Sequence, residues 1–143
     1  MSEELKKKIK DLLPNPTMGS FASIKDGKPW VRYVMINTKD NLDIFFTTHK
    51  RSRKVAQLQN DPWCHITAGG DPRNFMHPYL QITGKAYIIE DLAVKKEFWH
   101  DFLATMFTGP DDPDYVIIKV VPEEIELWGE TKMVPQVLKL KKE

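Results

Sequence analysis

Met18-Gly19-Ser20-Phe21-Ala22-Ser23-Ile24-Lys25-Asp26-Gly27-Lys28-Pro29-Trp30-Val31-Arg32-Tyr33-Val34-Met35-Ile36-Asn37 reads as two strands, Met18–Lys25 and Trp30–Asn37. They fold back on each other at Asp26-Gly27, a hairpin signal because both turn residues must tolerate positive φ. Leu42–Thr48 follows after the polar turn Lys39-Asp40-Asn41 and makes a third strand. Three strands joined by short connections form an antiparallel meander.

Outward from this hairpin the period changes. Glu3–Leu13 reads as a short amphipathic helix, with Leu5, Ile9, Leu12 and Leu13 near one face, stopped by Pro14 and Pro16. Arg51–Asn60 is helical in pattern, with Val55 and Leu58 inward, and Asp61-Pro62 ends it. Trp63–Ala68 is a fourth strand, Gly69–Pro78 a loop and Tyr79–Ile89 a long fifth strand. Asp91 caps a helix expected over Leu92–Met106, with an apolar stripe of Phe98, Trp99, Phe102, Leu103 and Met106. After the turn-rich loop Thr108–Asp114, strands are expected at Tyr115–Val121 and Glu124–Glu130, broken by Pro122. The Lys-rich tail Val134–Glu143 is expected to be mobile at its end. Seven strands with a few short helices between them predict a mainly β (α+β) fold, a mostly antiparallel barrel with helices at its rim.

The 143 residues suit one domain, residues 1–143, with a core of its own. Hydrophobic residues are 41% and charged residues 29%, the balance of a globular chain. A formal net charge of +1 argues against a general electrostatic nucleic-acid binder, so any positive patch is local. One cysteine, Cys64, rules out an internal disulfide. With no apolar leader at Met1–Lys8 and no membrane-length apolar run, the expected location is the cytoplasm, without membrane or nucleic-acid partners.

The chemistry concentrates in Phe45-Phe46-Thr47-Thr48-His49-Lys50-Arg51-Ser52-Arg53-Lys54. A strand ends near Thr48 and a helix begins near Ser52. Four basic residues fall within five positions at a helix N-terminus, where cations oppose the helix dipole. A bound phosphate would resolve that conflict, using the free backbone N–H groups of the first turn. A solvated basic turn with Ser52 as an ordinary cap is the other reading. Arg32 lies on the strand face of Val34 and Ile36 and needs a partner there: a ligand phosphate or carbonyl, a structural carboxylate, or water at an edge. His65 and His77 form no metal pattern, and Cys64 within a strand reads as core.

At Arg32 and Thr47–Lys54 the sequence resembles the pyridoxamine 5′-phosphate oxidase-like family of FMN-binding split barrels. Further likeness lies in Ile24–Arg32, Asn60-Asp61-Pro62, Ile82-Thr83-Gly84-Lys85-Ala86, and Phe107–Tyr115 with Glu126-Leu127-Trp128. The last of these is similar to the small general stress protein branch. The resemblance implies an antiparallel Greek-key split β-barrel with FMN at a homodimer interface. It implies that Arg32, Val34, Met35, Asn37, Phe46, Thr47 and Trp128 border the cofactor, and that Ser52, Arg53 and Lys54 grip its phosphate. The vitamin B6 oxidases of the family carry lysine where Asn37 stands and an Arg-rich C-terminal segment; this chain has no arginine after Arg73. Arg32 and Asn37 are also an odd number of residues apart, so alternation places them on opposite faces unless a bulge intervenes.

Three functions follow as expectations. The first is an FMN-dependent oxidoreductase with a nicotinamide donor and an unnamed small-molecule acceptor. The second is a flavin-binding stress protein without turnover. The third keeps the barrel and changes the ligand to a deazaflavin or haem. No acid or base stands out as catalytic; Tyr33, Tyr79 and His77 border a flavin or simply pack.

Overall fold

In the computed structural model, Ser2–Gly129 and Lys132–Leu140 are described. Strand alternation and turn chemistry dictate most of it. β1 (Thr17–Lys25) and β2 (Lys28–Thr38) pair from Lys25↔Lys28 to Thr17↔Ile36. Asp26 and Gly27 take positive φ, 53° and 74°, as a two-residue hairpin turn requires. β3 (Ile44–His49), β4 (Trp63–Gly69), β5 (Tyr79–Ile89), β6 (Tyr115–Gly129) and β7 (Lys132–Lys139) complete one antiparallel sheet in the order β3-β2-β1-β4-β5-β6-β7. Pairing of β3 with β6, from Ile44↔Val120 to His49↔Tyr115, closes β1–β6 into a six-stranded barrel. The fold is therefore mostly β, as the alternation predicts.

Inward residues fill the barrel: Phe21, Ile36, Ile44, Phe46, Ile66, Leu80, Ile82, Ile118 and Ile125 are all buried. α1 (Ser2–Asp11) seats Ile9 in this core, and α2 (Arg53–Asn60) seats Leu58. Each fully buried aliphatic side chain contributes roughly 1.5–3 kcal/mol.

Four expectations are corrected. α1 stops at Asp11; Leu12 and Leu13 follow it as a turn bonded back to Ile9 and Lys10. The single helix over Leu92–Met106 is instead α3 (Leu92–Glu97) followed by a 3-10 turn at Asp101–Thr105. The break changes the repeat, so Leu103 and Phe107 turn inward while Phe102 and Met106 remain exposed. Pro122 does not break β6, which runs unbroken from Tyr115 to Gly129. It stands where β6 exchanges one neighbour, β3, for another, β7, and opposite a bulge between Thr83 and Gly84, so its missing N–H is tolerated. Finally, Val134–Lys139 of the tail belongs to β7, paired along β6 from Glu124↔Lys139. The ends of two expected segments, Glu130 and Lys141–Glu143, lie outside the described residues.

Gly84 is required by this bulge. A Cβ there would meet the Val121 carbonyl oxygen at 2.5 Å and Pro122 Cα at 2.9 Å, both backbone atoms of β6. Gly84→Ala should therefore destabilise the fold by about 1–3 kcal/mol, the usual cost of overpacking. A lowered urea midpoint with an unchanged slope checks this; an unchanged midpoint would show that β6 yields freely.

Candidate functional site

β2 and β3 pair only at Asn37↔Phe45 and Thr38↔Ile44. Beyond that junction they part. β3 continues along β6, and β2 continues along β1. The second edge of β2 over residues 28–36 and the facing edge of β3 therefore have no ladder partner among the described residues. Backbone N–H and C=O groups left this way need water or a ligand. This split between two strands is one part of the site.

The other part is where β3 runs into α2. The helix starts at Arg53 rather than Arg51, with Ser52 in the capping position. Ser52 makes no side-chain cap bond, and the first turn holds no acid. Its hydroxyl instead accepts from Thr48 Oγ1 at 3.2 Å, while Lys54 Nζ donates to Thr48 Oγ1 at 2.9 Å. The free N–H groups of the first turn thus keep their dipole unsatisfied by any side-chain cap.

Arg32 reaches the same place from the sheet. It lies on the inner face of β2, half-buried, with Val34 and Ile36. Its Nη2 donates to Gln57 Oε1 at 2.9 Å and its Nη1 to Ser23 Oγ at 2.7 Å. The Phe21 and Trp30 carbonyls accept at 3.4 and 3.2 Å, and the guanidinium lies 5.8 Å from the Phe21 ring. Arg53 packs over Trp30 at 5.6 Å. The partner the strand position demands is thus supplied by neutral groups and not by a carboxylate.

Electrostatics separate two sets of cations. Arg51 pairs with Asp114 at 3.1 Å, His49 approaches the same carboxylate at 3.7 Å, and Lys50 pairs with Glu90 at 3.1 Å. Those three bind the connection to its neighbours. Arg32, Arg53 and Lys54 have no carboxylate within salt-bridge distance among the described residues. Burial, then Arg53, lowers the Arg32 pKa, and burial, then Arg32 and Arg53, lowers that of Lys54. Three cations that repel one another beside uncapped helix N–H groups have the chemistry to receive a dianion.

Arg32, Ser52, Arg53 and Lys54 are thus brought together. Met35, Asn37 and Thr47 are not with them: they line a recess of about 420 Å³ on the other side of the strands, with Pro16, Phe98 and His100. Phe46 is core, edge-on to Phe21 at 5.0 Å, and Val34 packs partly against that core. Trp128 stacks on Tyr79 at 6.4 Å in a third recess with Phe75, Met76, Gly129 and Met133, and its Nε1 donates to Glu126 at 2.7 Å. Cys64 is buried, and desolvation pushes its thiol up to about 12, so it packs as core.

Sequence reasoning missed Thr48, Ser23 and Gln57. Counting by twos from buried Phe46 would have turned Thr48 inward, toward Ser52. Nothing in the spacing signals Ser23 or Gln57, which are neutral and 34 residues apart.

The Pyridoxamine 5′-phosphate oxidase family model matches residues 5–129. General stress protein 26 of Bacillus subtilis (strain 168) is 35% identical over 138 residues, 96% of this chain and 98% of that protein. The crystal structure of General Stress Protein 26 from Bacillus anthracis str. Sterne superposes with a TM-score of 0.81 at 28% identity, covering 96% of this chain and 99% of that one. An F420 reductase superposes with a TM-score of 0.62 at 25% identity, covering 81% of this chain and 94% of that one.

The pH dependence of anion binding follows from Lys54. A bound phosphate favours its charged form and raises its pKa from the lowered value, so binding takes up a proton on the alkaline side. Affinity for a phosphate monoester should be flat near neutrality and fall as pH climbs toward 10.5, the ordinary lysine value. It should also fall on the acid side as the phosphate gains its second proton near pH ~6. Calorimetry in buffers of different ionisation enthalpy reads the proton uptake; none at alkaline pH would remove Lys54 from the site.

Proposed function

The chain belongs to the pyridoxamine 5′-phosphate oxidase family, in its general stress protein branch, and on that premise we propose that it is an FMN-binding flavoprotein that works as a flavin-dependent oxidoreductase. The observation that carries the reading is the carboxylate-free trio of Arg32, Arg53 and Lys54 at the uncapped start of α2. The donor set fits FMN. The cations and the helix N–H groups suit its phosphate dianion, and the open edges of β2 and β3 offer backbone donors and acceptors to a polar ring. Bound FMN would supply the hydride and electron transfer. The chain's own part is to bind and orient: Arg53 and Lys54 would neutralise the phosphate, Ser52 would donate its hydroxyl, and Thr48, bonded to both Ser52 and Lys54, would hold them in place. Electrons would come from a nicotinamide donor and pass to a small molecule.

A vitamin B6 oxidase is disfavoured by Asn37 and by a C-terminal segment that, where described, forms β7 and contains no arginine. A phosphate grip serves haem poorly. We place the protein in the cytoplasm, in keeping with its single free, buried cysteine.

A homodimer with FMN at its interface is part of the proposal. The outer face of the β1–β2 hairpin carries Met18, Val31, Tyr33 and Met35, which are 58%, 64%, 75% and 49% exposed, with Met18 opposite Met35. A contiguous apolar face of this kind calls for a cover, and a second copy supplies one. Sedimentation should show a dimer at micromolar concentration, and Val31→Glu with Tyr33→Glu should return it to monomer. A monomeric parent would remove the dimer.

Arg53→Ala and Lys54→Ala should each weaken FMN binding by about 1.5–3 kcal/mol, the worth of a charge-assisted bond, and leave the melting temperature nearly unchanged. Riboflavin, which lacks the phosphate, should bind both variants as it binds the parent. Equal FMN affinity in parent and variants would overturn the assignment, as would a Soret band in place of two flavin bands. Steady-state NADH or NADPH oxidation by the FMN-loaded protein separates the oxidoreductase from a flavin binder without turnover.

A further inference from the structure

We propose that Gln57 is the positioning residue of the phosphate grip: together with Ser23 it fixes Arg32 while leaving the arginine's positive charge unspent, and so sets the preference for a phosphorylated flavin. The inference rests on the phosphate reading of the site and deepens it.

An arginine half-buried on the inner face of a sheet needs partners, and an ion pair with a carboxylate is the ordinary solution. Here every partner is neutral. Gln57 Oε1 accepts from Nη2, Ser23 Oγ accepts from Nη1, and two main-chain carbonyls and the Phe21 ring complete the set. Ser23 in turn donates to Gln57 Oε1, so the two anchors are locked to each other. Both are sealed in the protein, Ser23 at 0% exposed and Gln57 at 6%. Gln57 follows Arg53 by one helical turn on α2, so the residue that fixes Arg32 is carried by the helix that supplies the other two cations.

The choice of an amide has a visible cost. Gln57 Nε2 is buried and has no hydrogen-bond partner. Glutamate has the same shape and would pair with Arg32 at the distance Gln57 Oε1 now holds, with its second oxygen in the place of the orphan N–H. An ion pair is also the ordinary way to hold a half-buried arginine. The drawback of glutamate is functional: it would neutralise Arg32 and set a negative charge beside the phosphate. An amide holds the same geometry with no charge, which is what an anion site built from few cations requires.

Gln57→Glu in the full chain tests this by calorimetric titration with FMN and with riboflavin. The expected result is an FMN affinity lowered about tenfold or more with unchanged riboflavin affinity. Gln57→Met, which frees Arg32 without changing any charge, should lower the FMN-to-riboflavin ratio severalfold. Arg53→Ala is the control for the underlying reading. If it lowers the ratio and neither Gln57 variant does, Gln57 is structural only and the inference is overturned. If none of the three changes the ratio, the phosphate grip itself is wrong. If Gln57→Glu fails to fold, Gln57→Met decides by the same ratio.

Discussion

Arg32, Arg53 and Lys54 repel one another, and the fold brings them together with no neutralising carboxylate among the described residues. Gathering them raises the energy of the protein: burial and Arg53 favour the neutral form of Arg32, and burial, Arg32 and Arg53 favour that of Lys54. The rest of the molecule supplies what holds them. Arg32 is tied to Gln57 and Ser23, Lys54 to Thr48, and Arg53 to the face of Trp30. The connection that delivers them is itself anchored through Asp114 and Glu90. Carboxylates are thus spent on the approach and withheld from the centre.

Barrel closure is what makes that possible. β3 must leave β2 to reach β6, and its far end then delivers Thr48 and the start of α2 beside the inner face of β2. α2 is fixed by Val55 and Leu58, both 3% exposed. Burying these two side chains contributes roughly 3–6 kcal/mol, enough to offset repulsion among half-exposed charges. The same parting of strands opens the backbone edges of β2 and β3, so one topological event produces both halves of the site.

Period-two patterning with Asp26-Gly27 made the hairpin and the antiparallel sheet legible, since local sterics alone decide them. The basic stretch was legible as a conflict between charge and helix dipole. Where the sequence misled, tertiary pairing had overruled local signals. Pro122 is harmless because β6 changes neighbours there, the Lys-rich tail becomes β7 because β6 has a free edge to pair with, and α3 ends at Glu97, beside Phe98 whose ring stacks on Phe45. Gln57 and Ser23 were illegible for a deeper reason: a neutral side chain acquires its role only from the cation the fold lays against it.

Alternation puts Arg32 and Asn37 on opposite faces of β2, and five residues of strand separate them by about 16 Å. A ligand lying on either face could reach only one of them. The split removes that difficulty. Between the open edges of β2 and β3 a ligand could extend from the inner cations toward the outer recess of Met35, Asn37 and Thr47 without crossing a paired sheet. That path accounts for Thr47 and Thr48, adjacent residues, facing different parts of the site. It does not reach Trp128, whose recess shares no lining residue with the outer one. In the proposed dimer, a second copy would be the source of any Trp128 contact to a flavin held in the split, which ties that residue's role to the dimer.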